Sequence, residues 1–296
     1  MRIRLIVPLL AVLALSAACS VVRISYDNAD WILARMAARY VDMDRDQTRA
    51  LKTQLGQLQA WHRREELPRY AALLDEGAAR VQRGLTREDL AWAVASVRGR
   101  YQVLAHHAVT DLAPVLVTLN DSQIAGMEAR FAADNRKFYA AKLSKSSEDS
   151  VETQAAWITA RLEDWTGGTS PAQRELIVNL VRAYPNLPAL RLTEREHRQA
   201  QFLGLLRAHP NDRAMQTQLV ALVADPSTGP NGPYRDTLSA WEVSFVDTMV
   251  ALDHSLTARQ RATTVERLRR YAQEFRSLAQ EGENRESTAI PAPSAG

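Results

Sequence analysis

The sequence predicts an all-α protein, an irregular antiparallel multi-helix bundle, and three observations carry that expectation. Apolar residues recur at intervals of three and four along almost every segment after Asp27. The series are Leu90, Val94, Val97, Tyr101 and Leu104; Val151, Ala155, Ile158, Leu162 and Trp165; and Leu238, Trp241, Phe245, Met249 and Leu252. A fourth runs through Val265, Leu268, Tyr271 or Ala272, Phe275 and Leu278. Each series puts one apolar stripe on an otherwise charged helix. No comparable stretch alternates with a period of two, and β-branched runs are missing. The third observation is a short element that starts helices and recurs along the chain.

The first twenty residues, MRIRLIVPLLAVLALSAACS, read as a cleaved lipoprotein leader. Arg2 and Arg4 form a basic n-region, and Leu5 to Leu15 is an apolar stretch of secretory length, too short to span a bilayer. Ser16, Ala17 and Ala18 precede Cys19, the only cysteine. This arrangement looks like a bacterial lipobox, with Leu15 one position earlier than preferred. The resemblance implies cleavage after residue 18, acylation of Cys19, palmitate included, and anchoring in a membrane. Three acyl chains far exceed what marginal binding needs. Ser20, rather than aspartate, favours the outer membrane and places the domain on its periplasmic face. With no second cysteine, the domain can form no internal disulfide.

The sequence pI of 9.1 overstates the charge of the mature chain. Removing Arg2 and Arg4 leaves it near neutrality, and only four of the basic residues are lysines (Lys52, Lys137, Lys142 and Lys145). The arginines are scattered, so no nucleic-acid footprint is expected.

The helix-start element reads MDRDQ (43–47), LTRED (85–89), LNDSQ (119–123), TSPAQ (169–173), LTERE (192–196) and LTARQ (256–260). Each copy pairs a capping residue with a Gln, Glu or Asp three positions on: Asp44 with Gln47, Thr86 with Asp89, Asn120 with Gln123, Ser170 with Gln173, Thr193 with Glu196, Thr257 with Gln260. That is a capping box, and the apolar residue before most caps is placed to staple the entering chain. Unequal spacing between copies excludes a solenoid. Helix starts at all six sites are the expectation. LTxxQ pairs also resemble those of small periplasmic stress chaperones, which implies client binding.

Between these starts lie the breaks. Pro68 removes an amide donor and clashes with the Arg64 carbonyl, so a helix ends or kinks there. GGTSP (167–171), PNLP (185–188) and DPSTGPNGP (225–233) read as loops, the last as a possible subdomain hinge. The helical domain is expected over 19–284, with a disordered tail over 285–296.

Two dense polar stretches are the candidate binding residues. WHRREELPRY (61–70) supplies Trp61, His62, Arg63, Glu66, Arg69 and Tyr70. His62 and Glu66 lie one turn apart, and Glu65 and Arg69 are spaced for an ion pair. A His–Glu pair offers two metal ligands, but zinc needs three or four, and no third is nominated. DMDRDQ (42–47) lacks the glycine and the final glutamate of a calcium loop. In ADNRKF (133–138), Asp134 and Asn135 fall where the stripe Ile124, Met127, Phe131 should continue. A polar group facing a core needs a partner, and Arg161, Asp164 and Trp165 are the candidates. Either a buried polar network or a binding pocket would result.

No catalytic constellation, phosphate loop or cofactor fingerprint is visible, so no cofactor and no metal is expected. With SYDNADW (25–31), YVDMDRDQ (40–47) and RLEDWTGG (161–168), the two dense stretches resemble an uncharacterised family of helical bacterial envelope lipoproteins. That resemblance covers most of residues 19–210. It implies a membrane-anchored helical protein and assigns no catalytic residues. The functional expectation is non-enzymatic protein binding or scaffolding in the cell envelope, with envelope proteins or unfolded clients as partners. A hydrolase or metal site built from dispersed His and carboxylate groups is the alternative.

Overall fold

The computed structural model describes residues 23–143, 147–184, 187–223 and 232–289. The expected leader and Cys19, most of the 225–233 hinge and the tail beyond Ala289 lie outside them. The described residues form eleven α-helices and no strand. In chain order these are α1 (Ala29–Ala37), α2 (Arg45–Trp61), α3 (Leu67–Arg83), α4 (Arg87–Leu116), α5 (Asp121–Lys142), α6 (Ser147–Thr166), α7 (Pro171–Ala183), α8 (Leu187–Arg207), α9 (Asp212–Val223), α10 (Gly232–His254) and α11 (Ala258–Ala289). α11 runs past residue 284, so the start of the expected tail is helical. None of the described helices is long and apolar enough to cross a membrane.

Neighbouring helices run antiparallel, which the cross-helix pairs show directly. α3 lies along α11, with Leu67 packed on Leu278 at one end and Val81 near Val265 at the other. α5 runs against α8 through Arg207–Glu128 (2.5 Å) and Asn135–Gln199 (2.7 Å). α2 meets α4 from Gln47–Thr118 to Trp61–His107. α6 and α7 form a hairpin whose turn contains Gly167 and Gly168, both at positive φ. Glycine suits these two positions because a Cβ is strained there.

The largest core cluster lies among α4, α5, α8 and α9. Ala113, Ile124, Leu206 and Met215 are almost fully buried there. A second cluster joins α6, α7 and α10 around Ile177 and Leu252. One expected stripe is not core: Val97 is 69% exposed and Tyr101 43%, so the first half of α4 keeps apolar side chains in the open. The apolar burial of α4 comes instead from its second half, at Val109, Ala113 and Val115.

Five of the six start elements cap helices as expected. Asp44, Thr86, Asn120 and Ser170 close reciprocal capping boxes, and Thr257 does so with Gln260 (2.9 and 3.2 Å). The sixth is a correction: Thr193 sits inside α8, and its hydroxyl donates to the Ala189 carbonyl one turn back (3.3 Å). After Pro188 nothing interrupts the helical backbone, so the hydroxyl bonds within the helix rather than capping one.

Candidate functional site

WHRREELPRY forms a π-turn, His62–Glu66, between α2 and α3. Pro68 explains it. Proline has no amide to give the Arg64 carbonyl, and the backbone widens by one residue, with the Leu67 amide donating to the His62 carbonyl. The helix thus passes Pro68 without ending. This wide turn swings Arg63 and Glu66 inward, where both are buried.

Arg63 donates to Asp27 (2.6 Å) and to the Leu278 carbonyl on α11 (3.2 Å), and its guanidinium lies over the Tyr26 ring. Glu66, 0% exposed, accepts from Arg69 (2.9 Å) and from Arg100 on α4 (3.1 Å). Glu65 and Arg69 form the expected pair (3.3 Å). His62 bonds to Tyr26 through Nδ1 (2.8 Å) rather than to Glu66, and packs edge-on against Tyr70. Trp61 stacks on His107 with centroids 3.7 Å apart. The stretch therefore ties the N-terminal segment, α2, α3, α4 and α11 at one junction.

Gly282 on α11 packs so tightly on Arg63 that a Cβ would collide with its Cγ and Cδ. Gly282→Ala should destabilise the fold by about 1–3 kcal/mol, as overpacking does, read from the thermal midpoint. Burial also holds the His62 pKa below its ordinary 6.5, opposed in part by Glu66. The folded imidazole thus stays neutral while the unfolded chain takes up a proton near 6.5. Stability is full above that value and is lost as pH falls toward the lowered pKa. The urea midpoint should drop between pH of about 7.5 and about 5.5, and His62→Gln should flatten that drop.

The other candidates do not come together as expected. Asp134 accepts from Tyr40 (2.8 Å), which together with nearby cations lowers its pKa. Asn135 donates to Gln199 on α8. Its Oδ1 has no partner among the described residues. Arg161 and Asp164 pair with each other on an exposed face of α6 (3.0 Å). Trp165 lies against Tyr271 of α11. The helix that meets the Asp134 region is α8, not α6.

Sequence reasoning missed what the capping glutamines do next. Gln47 donates to the Thr118 carbonyl (2.8 Å), two residues before the Asn120 cap. Gln123 donates to the Asp42 carbonyl (2.8 Å), two residues before the Asp44 cap. The two amides also bond each other. The same pattern joins α7 to α11: Gln173 reaches the Ser255 carbonyl (3.2 Å), Gln260 the Gly168 carbonyl (2.8 Å), and the amides meet (3.0 Å). Each pair is a reciprocal clasp between two helix starts. The fifth box ends in Asp89, which is held by Arg80 and Arg83. It is joined to α11 differently: Asp253 accepts from the Leu85 amide and from Arg261.

Also unnoticed was an apolar cavity of about 340 Å³ among α6, α7, α8 and α10. Ile158, Ile177, Leu180, Val181, Phe245 and Met249 line it, with Trp157 and Trp241 beside them. The stripes on α6 and α10 carried the signal, but they read as core. No group of three or more His, Cys, Asp or Glu placed to hold a metal occurs among the described residues.

A model for a family of unknown function (DUF6279) matches residues 39–235. The chain belongs to this family. The match takes in both dense polar stretches and both members of the Gln47–Gln123 clasp. It stops short of α11 and of most of α10, so the α10 wall of the apolar cavity lies beyond it. No curated protein and no solved structure matches.

Proposed function

We propose that this DUF6279 protein is an outer-membrane lipoprotein, anchored through Cys19 and facing the periplasm, that binds or scaffolds other envelope proteins without catalysing a reaction. The observation that carries the reading is a contrast. The polar side chains of the dense stretches are spent on helix junctions, while apolar side chains stay open elsewhere.

Two open surfaces support it. Ile24, Trp31, Leu33 and Met36 are exposed on the segment that follows Cys19 in the sequence, interspersed with Arg35 and Arg39. An apolar face with arginines suits the interface of an anionic membrane. Elsewhere, Val97 and Tyr101 of α4 and Val243 of α10 are exposed around the Arg98–Glu242 pair (3.0 Å). That ridge crosses two helices, and it is the surface offered to a protein partner.

Palmitate labelling tests the anchor: it should vanish in Cys19→Ala, and retained labelling would refute the lipoprotein reading. A photocrosslinker at Val97 or Val243 tests the partner surface in cells. A discrete crosslinked protein is expected from both positions and not from exposed Arg213 on α9. Equal yields at all three positions would count against the ridge. Suppression of aggregation of an unfolded client at equimolar ratio would point to client holding instead.

A further inference from the structure

We infer that the cavity among α6, α7, α8 and α10 binds a single-chain anionic amphiphile of the fatty-acid class, tail inside and carboxylate at Arg191. The cavity volume of about 340 Å³ falls in the range of small-molecule sites. Apart from Gln154 and Arg191 its walls are aliphatic and aromatic, drawn from all four helices, which suits a hydrocarbon tail.

The polar groups decide the head. The lining contains one cation, Arg191, and no Asp or Glu. Arg191 forms no salt bridge to any described residue; its guanidinium lies 5.7 Å from the Trp241 ring centroid, and it is exposed at the mouth. Arg182, next in the chain to the lining residue Val181, is already paired with Glu148. Tyr184, the other ionisable group in the wall, spends its hydroxyl on the Ala240 carbonyl (2.9 Å) and Ser244 (2.6 Å). That leaves an apolar chamber whose rim offers an unneutralised guanidinium. A planar carboxylate matches its paired donors, and an alcohol or a cationic head does not. This inference stands on the cavity alone and is independent of the lipid anchor.

The test uses the intrinsic fluorescence of Trp157 and Trp241 in the intact protein. Dodecanoate brominated at the end of its tail should quench them saturably below its micelle concentration. Trp157→Phe with Trp241→Phe should remove most of that quenching. Arg191→Gln, an exposed change that spares the fold, should raise Kd about tenfold or more, as expected for losing a charge-assisted hydrogen bond. The brominated alcohol should bind wild type no better than the acid binds Arg191→Gln. Quenching that never saturates, or that is indifferent to Arg191 and to the head group, would overturn the inference. So would an apolar peptide that binds at these tryptophans when dodecanoate does not; the cavity would then be a protein-docking site.

Discussion

Glu66→Ala is expected to lower the free energy of unfolding by about 3 kcal/mol, the scale for removing one partner of a buried ion pair. Glu66 is fully buried and accepts from Arg69 and Arg100. Its loss strips Arg100 of its counter-charge, and Arg100 is only 30% exposed. Arg69 is half exposed and keeps Glu65, so it recovers much of its solvation. Glu66→Gln keeps the shape and one acceptor, and should cost less, about 1–2 kcal/mol. Urea unfolding of the three proteins gives the order. Equal stabilities would mean that the π-turn junction contributes nothing.

The second large effect belongs to the glutamine clasps. Gln123→Ala removes the acceptor for the Asn120 amide, the donor to the Asp42 carbonyl and the bond to Gln47. A cost of about 2–3 kcal/mol follows from losing the capping bond together with buried bonds across helices. Gln173→Ala, at 1% exposure, should be similar. Glu196→Ala, in the LTERE element inside α8, should change stability by less than about 0.5 kcal/mol, as exposed positions do. The sequences of the three elements look alike, so the contrast separates a capping role from the motif itself.

Helix starts were legible because their chemistry is local. A cap and its N3 partner lie within four residues, and the same short pattern identifies them wherever the backbone is free to begin a helix. At Thr193 it was not free, because α8 was already under way from Leu187. Which clasp joins which starts was not legible, since four near-identical boxes carry no label for their partners. The stripe through Val97 and Tyr101 misled for a related reason. Periodicity shows that one face is apolar, but not that another helix covers it. Asn135 is buried, as its place in the stripe implied, while Asp134 is about a third exposed. Their partners, Tyr40 and Gln199, are ordinary residues that no spacing singles out. The apolar cavity was hidden because the stripes that line it have the same pattern as stripes that fill a core.

The π-turn stretch and the capping glutamines of this family member thus join helices to one another. The most direct measurement is a double-mutant cycle on the second clasp, Gln173→Ala, Gln260→Ala and both, by urea unfolding. If the glutamines act as one clasp, the single losses overlap and the coupling is about 1 kcal/mol or more. Losses that add within about 0.5 kcal/mol would contradict the account, leaving two independent caps and no joint.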